Sequence, residues 1–285
     1  LTRHGVNDPD MARYAAVRRF YWVRQQSMLR SVQPVLEALS SAGARIMLLK
    51  GLPLQQVYAR AALRPTSDLD LWVPRSDLPA AFRSLTELGF LPVNRRLPRD
   101  GVGADAYTVQ HAVTLRRDAD GLEVDLHARL HKSIPSISLA DTLFRRATPL
   151  TVAATSVVRL SLEGSILHAA AHGLGSETGS AVRGIADVAT LLEDGRDVID
   201  WEELKRLARE AEALTAVATM VMEAYEAMGI PVPQQAAAAL DVREASRADR
   251  WGWKLVRPGQ PSQVFRSALL SYLRARSAAK RDAEP

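Results

Sequence analysis

The sequence predicts an α/β unit with a small mixed sheet at residues 44–150, preceded by a helical segment at 1–43 and followed by a helical domain at 151–285. Three observations carry this expectation. Short apolar or alternating runs bounded by Gly, Pro and Ser cluster between Arg45 and His127, as strands require. Ahead of them, apolar residues recur at helical spacing from Tyr14 to Leu39, and after Pro149 the chain turns Ala- and Leu-rich with the same period.

In chain order, residues 11–42 form the first predicted helix, with Tyr14, Val17, Phe20, Tyr21, Leu29, Val32, Leu36 and Leu39 as its apolar positions. Pro34 is expected to kink or divide it, and Gly43 to cap its end. Arg45–Leu49 is a short apolar strand. Lys50-Gly51-Leu52-Pro53 is a turn, with Pro53 in the first turn of a helix running to about Ala62. Asp68–Val73 alternates and reads as a strand, after which Ser76 can cap a helix that reaches Leu88 and closes at Gly89. Residues 90–104 read as strand plus loop. Tyr107–Arg116 and Leu122–His127 are strands joined through Asp120-Gly121, a hairpin signal. Beyond 157 the pattern is helical. Asp200 is placed to cap an amphipathic helix from Trp201, Pro231 and Pro233 interrupt, and Ser262–Arg276 carries one more apolar face.

Composition narrows the classes of function. The chain has 285 residues, 47% hydrophobic and 24% charged, enough for a sizeable core without covalent staples. It has no cysteine, which excludes a thiol nucleophile, a zinc–thiolate site and an iron–sulfur cluster. No apolar run approaches a membrane span, and the first ten residues have no apolar core of the signal-peptide kind, so the expected location is cytoplasmic with no membrane partner. The net charge of +5 is local: residues 243–281 hold ten basic and two acidic residues, while 1–242 hold 27 and 28. That segment is either a solvated basic tail or a nucleic-acid surface.

The chemistry concentrates on a few acidic positions. Asp68 and Asp70 lie two apart on a predicted strand, so their side chains share a face. Two readings fit such a pair: a divalent cation held between carboxylates, or a polar strand face turned to water. Asp125, on the polar face of Leu122–His127 with Glu123 and His127, adds a third carboxylate if the two strands are neighbours. Three carboxylates can hold two ions ~3.5–4 Å apart, the arrangement used for in-line nucleotidyl displacement. Lys50-Gly51 opens a helix about twenty residues before the pair, where backbone N–H groups and an ammonium suit phosphate. Arg64 can reach either a phosphate or a nearby carboxylate. His127 can bind substrate, assist proton transfer or make a structural hydrogen bond. His168 and His172 share a helical face but lack the glutamate of a zinc protease, which favours packing or an acceptor pocket. Asp187 is expected to pair with Arg183, and Trp201 to join the core. No P-loop or nucleophile-elbow motif is present.

The stretches LLKGLPL, VYARAALRPTSDLDLWV and LEVDLHARLH, spread over residues 46–131, resemble the uncharacterised bacterial nucleotidyltransferases of the DNA polymerase β-like superfamily; residues 168–209 resemble their second half more loosely. The resemblance implies an enzyme that moves a nucleoside monophosphate, AMP from ATP, onto a hydroxyl of a small-molecule acceptor with release of pyrophosphate. It implies two Mg²⁺ ions, with Mn²⁺ as the alternative, bound by Asp68, Asp70 and Asp125, and a triphosphate held by Lys50 and Gly51. The chain departs from the superfamily at Leu52, where a glycine or serine is usual, so triphosphate contacts are left to backbone, Lys50, Ser67 or Arg64. The alternatives are transfer to a macromolecule, tRNA or protein, docked on the basic 243–281 segment, and a non-catalytic nucleotide-binding protein.

Overall fold

A computed structural model describes residues 11–58, 63–94, 111–134, 136, 139–175 and 180–256. Helix α1 (Met11–Ser41) leads into strand β1 (Met47–Leu48), one-turn helix α2 (Gly51–Leu54) and strand β2 (Asp68–Trp72). Helix α3 (Leu78–Glu87) and strands β3 (Phe90–Pro92), β4 (Ala112–Arg117) and β5 (Glu123–His127) follow. Helix α4 (Leu139–Arg145) precedes a hairpin of β6 (Thr148–Val152) and β7 (Thr155–Arg159). The rest is helical: α5 (Leu162–Gly175), α6 (Ser180–Asp194), α7 (Trp201–Glu210), α8 (Leu214–Met228), α9 (Gln234–Ala239) and α10 (Arg247–Val256). The strand expected at Tyr107–Arg116 is described from His111, and the helix at 262–276 lies outside the described residues.

The strands form one mixed seven-stranded sheet in the order β3-β4-β5-β2-β1-β7-β6. β2 runs parallel to β5 and β1 parallel to β7; every other neighbour is antiparallel. Strand alternation sorts the side chains into two cores. Leu48, Leu69, Leu71, Val124 and Leu126 pack with Val32, Leu36 and Leu39 of α1 and Phe82 and Leu85 of α3. Met47, Leu49 and Trp72 point the other way, into the cluster built by α4 to α8 and α10. The sheet is thus sandwiched, and the face carrying Asp68, Asp70 and Asp125 is turned toward the helical half. Among the described residues no helix is long and apolar enough to cross a membrane.

Several local signals are realised. Gly43, at φ +74°, closes α1 with paired bonds from its own N–H to Ser40 and from Ala44 to Leu39, the geometry of a left-handed C-terminal cap. Gly121, at φ +69°, turns β4 into β5. Asp200 caps α7 by accepting from the Glu203 N–H at 2.9 Å.

Other expectations change. Pro34 sits on the exposed side of α1, and the helix runs through it to Ser41. α2 is a single turn, and the buried Gln55 side chain that follows it accepts from Gln25 and donates to the Arg64 carbonyl; residues 59–62 of the expected helix lie outside the described residues. Ser76 does not cap α3. The helix starts one residue later, and Ser76 donates to Asp77, whose carboxylate receives the backbone and guanidinium N–H groups of Arg45. The β6–β7 hairpin was not anticipated. It turns through Ala153 and Ala154, both at positive φ, a two-residue turn without the Asn or Gly that signals one. β7 carries the ladder past residue 150 to Arg159.

Helix α8 begins at Ala213, which has no capping side chain. The cap comes from a distant helix: buried Asp249 of α10 accepts from the N–H groups of Leu214 (2.8 Å) and Thr215 (3.2 Å), placing a negative charge at a positive helix end. Asp249→Ala leaves these donors without that acceptor and is expected to cost about 1–3 kcal/mol. Urea unfolding of the variant measures the loss. A midpoint unchanged from wild type would show that water replaces the carboxylate.

Candidate active site

β2 and β5 pair in parallel with Asp70 opposite Asp125 and Trp72 opposite His127. The register places both carboxylates on one face at neighbouring positions, with Asp68 on the same face two residues earlier. Asp70 and His127 are buried, Asp68 and Asp125 half-buried. Oxygens of Asp70 and Asp125 and a ring nitrogen of His127 lie within 4.8 Å of one another.

Asp70 is the electrostatic centre. Its Oδ1 receives the Lys50 ammonium at 2.5 Å and faces His127 Nε2 at 3.1 Å. Burial alone would raise its pKa, but the His127 hydrogen bond and the Lys50 charge hold it well below the usual carboxylate range. Asp68 is shifted the other way: burial, then the neighbouring Asp70 charge, push it up, and Asp125 adds to the effect. Thr66 Oγ1 lies 3.2 Å from the Asp68 carbonyl and 3.4 Å from its carboxylate. Asp125 accepts from Thr114 Oγ1 at 2.6 Å.

Lys50 reaches Asp70 from an unusual backbone. Its φ of 51° and ψ of −113° lie outside the allowed regions for most side chains. Gly51 follows because a Cβ there would fall 2.1 Å from Thr66 Oγ1. The glycine therefore lets the Lys50 turn seat against the loop before β2, a packing requirement within the chain itself.

The nitrogen of His127 behaves as a donor to Asp70. Its other ring nitrogen, Nδ1, is buried with no hydrogen-bond partner among the described residues. An N–H at Nε2 satisfies Asp70. Coordination through Nε2 would move that proton to Nδ1, where no acceptor awaits it, whereas metal-bound histidines almost always donate their second N–H. That leaves an oxygen donor set from Asp70 and Asp125, joined on the same face by Asp68. Such a set fits a hard divalent cation.

The remaining predicted residues are placed elsewhere. Arg64 is buried and bound through two nitrogens to Asp187, at 2.6 and 2.9 Å, with the Tyr58 hydroxyl also donating to Asp187 at 2.7 Å. Asp187 thus pairs across 123 residues with Arg64, not with Arg183 one turn away. Ser67 is exposed and lies with Arg24, Met28 and Ser31 on the α1 side, away from the carboxylates. Thr66 and Thr114, which no motif in the sequence marks, hold Asp68 and Asp125; Thr66 lies two residues before its acid and Thr114 across a hairpin from its own. Between Lys50 and α5 lies a cavity of about 30 Å³ lined by Arg64, Ser165, His168, His172 and Asp187, enough for one or two waters.

Five of the six histidines form a continuous row. His127 meets His111 (ring centroids 5.5 Å), which meets His131 (6.1 Å), then His172 (5.9 Å) and His168 (6.2 Å). The row joins the ends of β4 and β5 to α5. Burial drives the proton affinities of four of them down: His172 to about 4, His111 to about 2, and His131 and His168 well below the ordinary value.

Two predictions come from this geometry. Histidines with folded pKa values below the unfolded ~6.5 take up protons on unfolding between those limits, so stability falls as pH drops below about 6.5. The slope is up to about 1.4 kcal/mol per pH unit for each histidine. Chemical denaturation at stepped pH from about 7.5 to 5.5 reads it above the range where ordinary carboxylates titrate. A flat profile would contradict the buried row. Second, Lys50→Met removes the counter-charge of Asp70. Stability without divalent ions should drop, and Mg²⁺ or Mn²⁺ should raise the melting temperature more than in wild type; an ion at 100 times its Kd for the variant adds about 2.7 kcal/mol of stability. Equal shifts in the two proteins would separate Lys50 from the cation position.

The chain is similar to an antigenic nucleotidyltransferase-like protein from Paracoccidioides brasiliensis, at 15% sequence identity and a TM-score of 0.44, covering 75% of this chain and 92% of that one. No curated protein matches it. The family model described as "Uncharacterised nucleotidyltransferase" matches residues 9–229, a span that takes in α1, the whole sheet, the three carboxylates and the helices through α8. The chain belongs to this uncharacterised nucleotidyltransferase family.

Proposed function

We propose that the protein transfers a nucleoside monophosphate, AMP from ATP, to a hydroxyl of a small-molecule acceptor, releasing pyrophosphate. The observation that carries the reading is the in-register pairing of Asp70 with Asp125 on parallel strands, with Asp68 on the same face. Family membership supports the reaction class. Asp68, Asp70 and Asp125 are the groups that would hold divalent cations, two Mg²⁺ or Mn²⁺ ions. Bound there, such ions supply neutralisation of the phosphate charge and a lowered pKa for the attacking hydroxyl.

The chain's own residues divide the remaining work. Asp125, oriented by Thr114, takes the acceptor hydroxyl side, where its carboxylate receives the proton as the acceptor oxygen bonds to the α-phosphorus and the bond to pyrophosphate breaks. Lys50 pairs with Asp70 in the resting site and serves the triphosphate when a cation takes over that pairing. His127 is a positioning residue that fixes the Asp70 carboxylate. Arg64, held by Asp187, braces the loop before β2. The small cavity beside Lys50 is too narrow for a nucleotide, so the nucleotide is assigned to the open side of the site, where Asp68 and Asp125 are half-exposed.

The test is pyrophosphate release with each NTP and Mg²⁺ or Mn²⁺ across a panel of hydroxyl compounds, with mass detection of the adduct. Asp70→Asn is expected to lose transfer by at least about 100-fold. Asp125→Asn is expected to retain Mg-nucleotide binding while losing the transfer step in single turnover. Near wild-type turnover in either variant, or no pyrophosphate with any NTP, would overturn the reading.

A further inference from the structure

The first fourteen residues of α1, Met11–Arg24, project beyond the body of the protein. Every one of positions 12–24 is exposed, whereas the same helix is buried periodically from Gln25 onward. This stretch is not an ordinary solvated helix. Tyr14, Val17, Phe20, Tyr21, Trp22 and Val23 stand 40–60% exposed, far more apolar area than solvent contact favours. Among them are Arg13, Arg18, Arg19 and Arg24, and no acidic residue occurs from Met11 through Leu36. The aromatic and arginine positions are interspersed around the helix. Phe20 and Tyr21 meet edge to face at 5.5 Å, and Trp22 is the next residue along. A bilayer surface calls for one segregated apolar face, which this pattern lacks. A second copy of the same helix would set arginines against arginines.

At its base the helix borders a groove of about 270 Å³ whose polar lining is Arg24, Ser27, Ser31, Ser67, Arg116 and one carboxylate, Asp120, which is already paired with Arg117 at 2.7 Å. Arg116 also lies 3.8 and 3.7 Å from Asp118 and Glu123. Ser67 immediately precedes Asp68, so the groove runs from the projecting helix to the start of the carboxylate strand. The helix is tied to the site beneath it through buried Gln25, whose amide donates to Gln55 at 2.6 Å, and Gln55 donates to the Arg64 carbonyl at 2.8 Å.

Exposed aromatic rings interleaved with arginines, feeding a groove whose guanidinium and hydroxyl groups outnumber its single, already paired carboxylate, match the chemistry of a single-stranded nucleic acid, in which bases stack and phosphates pair with cations. We infer that α1 and this groove are a docking surface for single-stranded nucleic acid. Phosphates fall to Arg18, Arg19, Arg24 and Arg116, and bases to Phe20, Tyr21 and Trp22. The inference concerns binding alone and stands apart from the transfer reaction.

The experiment uses the full chain and a fluorescein-labelled 12-nucleotide oligo(A) RNA, followed by anisotropy without NTP or divalent ions. Binding should weaken with salt, with a log–log slope near −3 for four phosphate contacts. Trp22→Ala should lose about tenfold in affinity with the slope kept. The double variant Arg18→Glu, Arg19→Glu should lose more and flatten the slope by about 1.4. Circular dichroism and urea unfolding check that these exposed positions leave the fold intact. Unchanged binding in both variants would overturn the inference and assign any affinity to the basic 243–281 segment. Stronger capture by phosphatidylserine vesicles, or by an acidic peptide, with no oligonucleotide binding would equally overturn it, in favour of a lipid surface or a protein partner. Because no nucleotide substrate is present, failure here leaves the transfer reading untouched, and the reverse also holds.

Discussion

A carboxylate with 2% of its side chain exposed must be matched by positive charge or a donor, and the architecture around Asp70 supplies both from different strands. Lys50 arrives from the end of β1 and His127 from the end of β5, and each meets the same oxygen. This arrangement accounts for features that look unrelated in isolation: the strained backbone at Lys50, the glycine that follows it, and the parallel pairing that sets Trp72 beside His127. On the proposed reading the site would have two states: Lys50 and a metal ion would be alternative partners for one buried charge, and an entering cation would compete with an ammonium already in place. Like-charged Asp125 opposite Asp70 sharpens that competition, since one lysine neutralises only part of the acidic face.

Much of this was legible in the residues. Period-two alternation in DLDLWV and LEVDLH put the three carboxylates on single faces, and the Asp120-Gly121 turn fixed one hairpin. What the pattern does not encode is the neighbour relation between distant strands; the parallel β2–β5 ladder joins segments more than fifty residues apart. Arg64 and Asp187 show the same limit, a pair 123 residues apart where spacing favoured Arg183. The β6–β7 hairpin stayed hidden for a different reason. Ala153 and Ala154 adopt a turn that glycine and asparagine normally advertise. Ser67 shows that a hydroxyl next to an acid in sequence lies across the sheet from it, whereas Thr66, one residue earlier, touches Asp68.

The helical half does more than cover the sheet. Gly173 and Gly184 let α5 and α6 approach so closely that a Cβ at either would fall within 3 Å of the other helix's backbone. Gly175, two residues along α5, leaves room for the His131 ring. Small residues on α5 therefore bring the histidine row into contact with the ends of β4 and β5. The row and the acidic site are linked through packing, because His127 belongs to both.

The narrowest point of the sheet is β1. Its two residues form the ladder between β2 on one side and β7 on the other. The flanking pairs β2–β5, β4–β5 and β6–β7 each run for five. Under tension applied across the sheet, the strand pairings would part first along this short seam. Both cores bridge that seam, Trp72 of β2 packing with the helical half and Val157 of β7 with α1, so side-chain packing holds the two sides of the sheet together where the ladder is short. Lys50 sits at the end of that seam, so a disturbance of this short pairing would pass directly to its contact with Asp70.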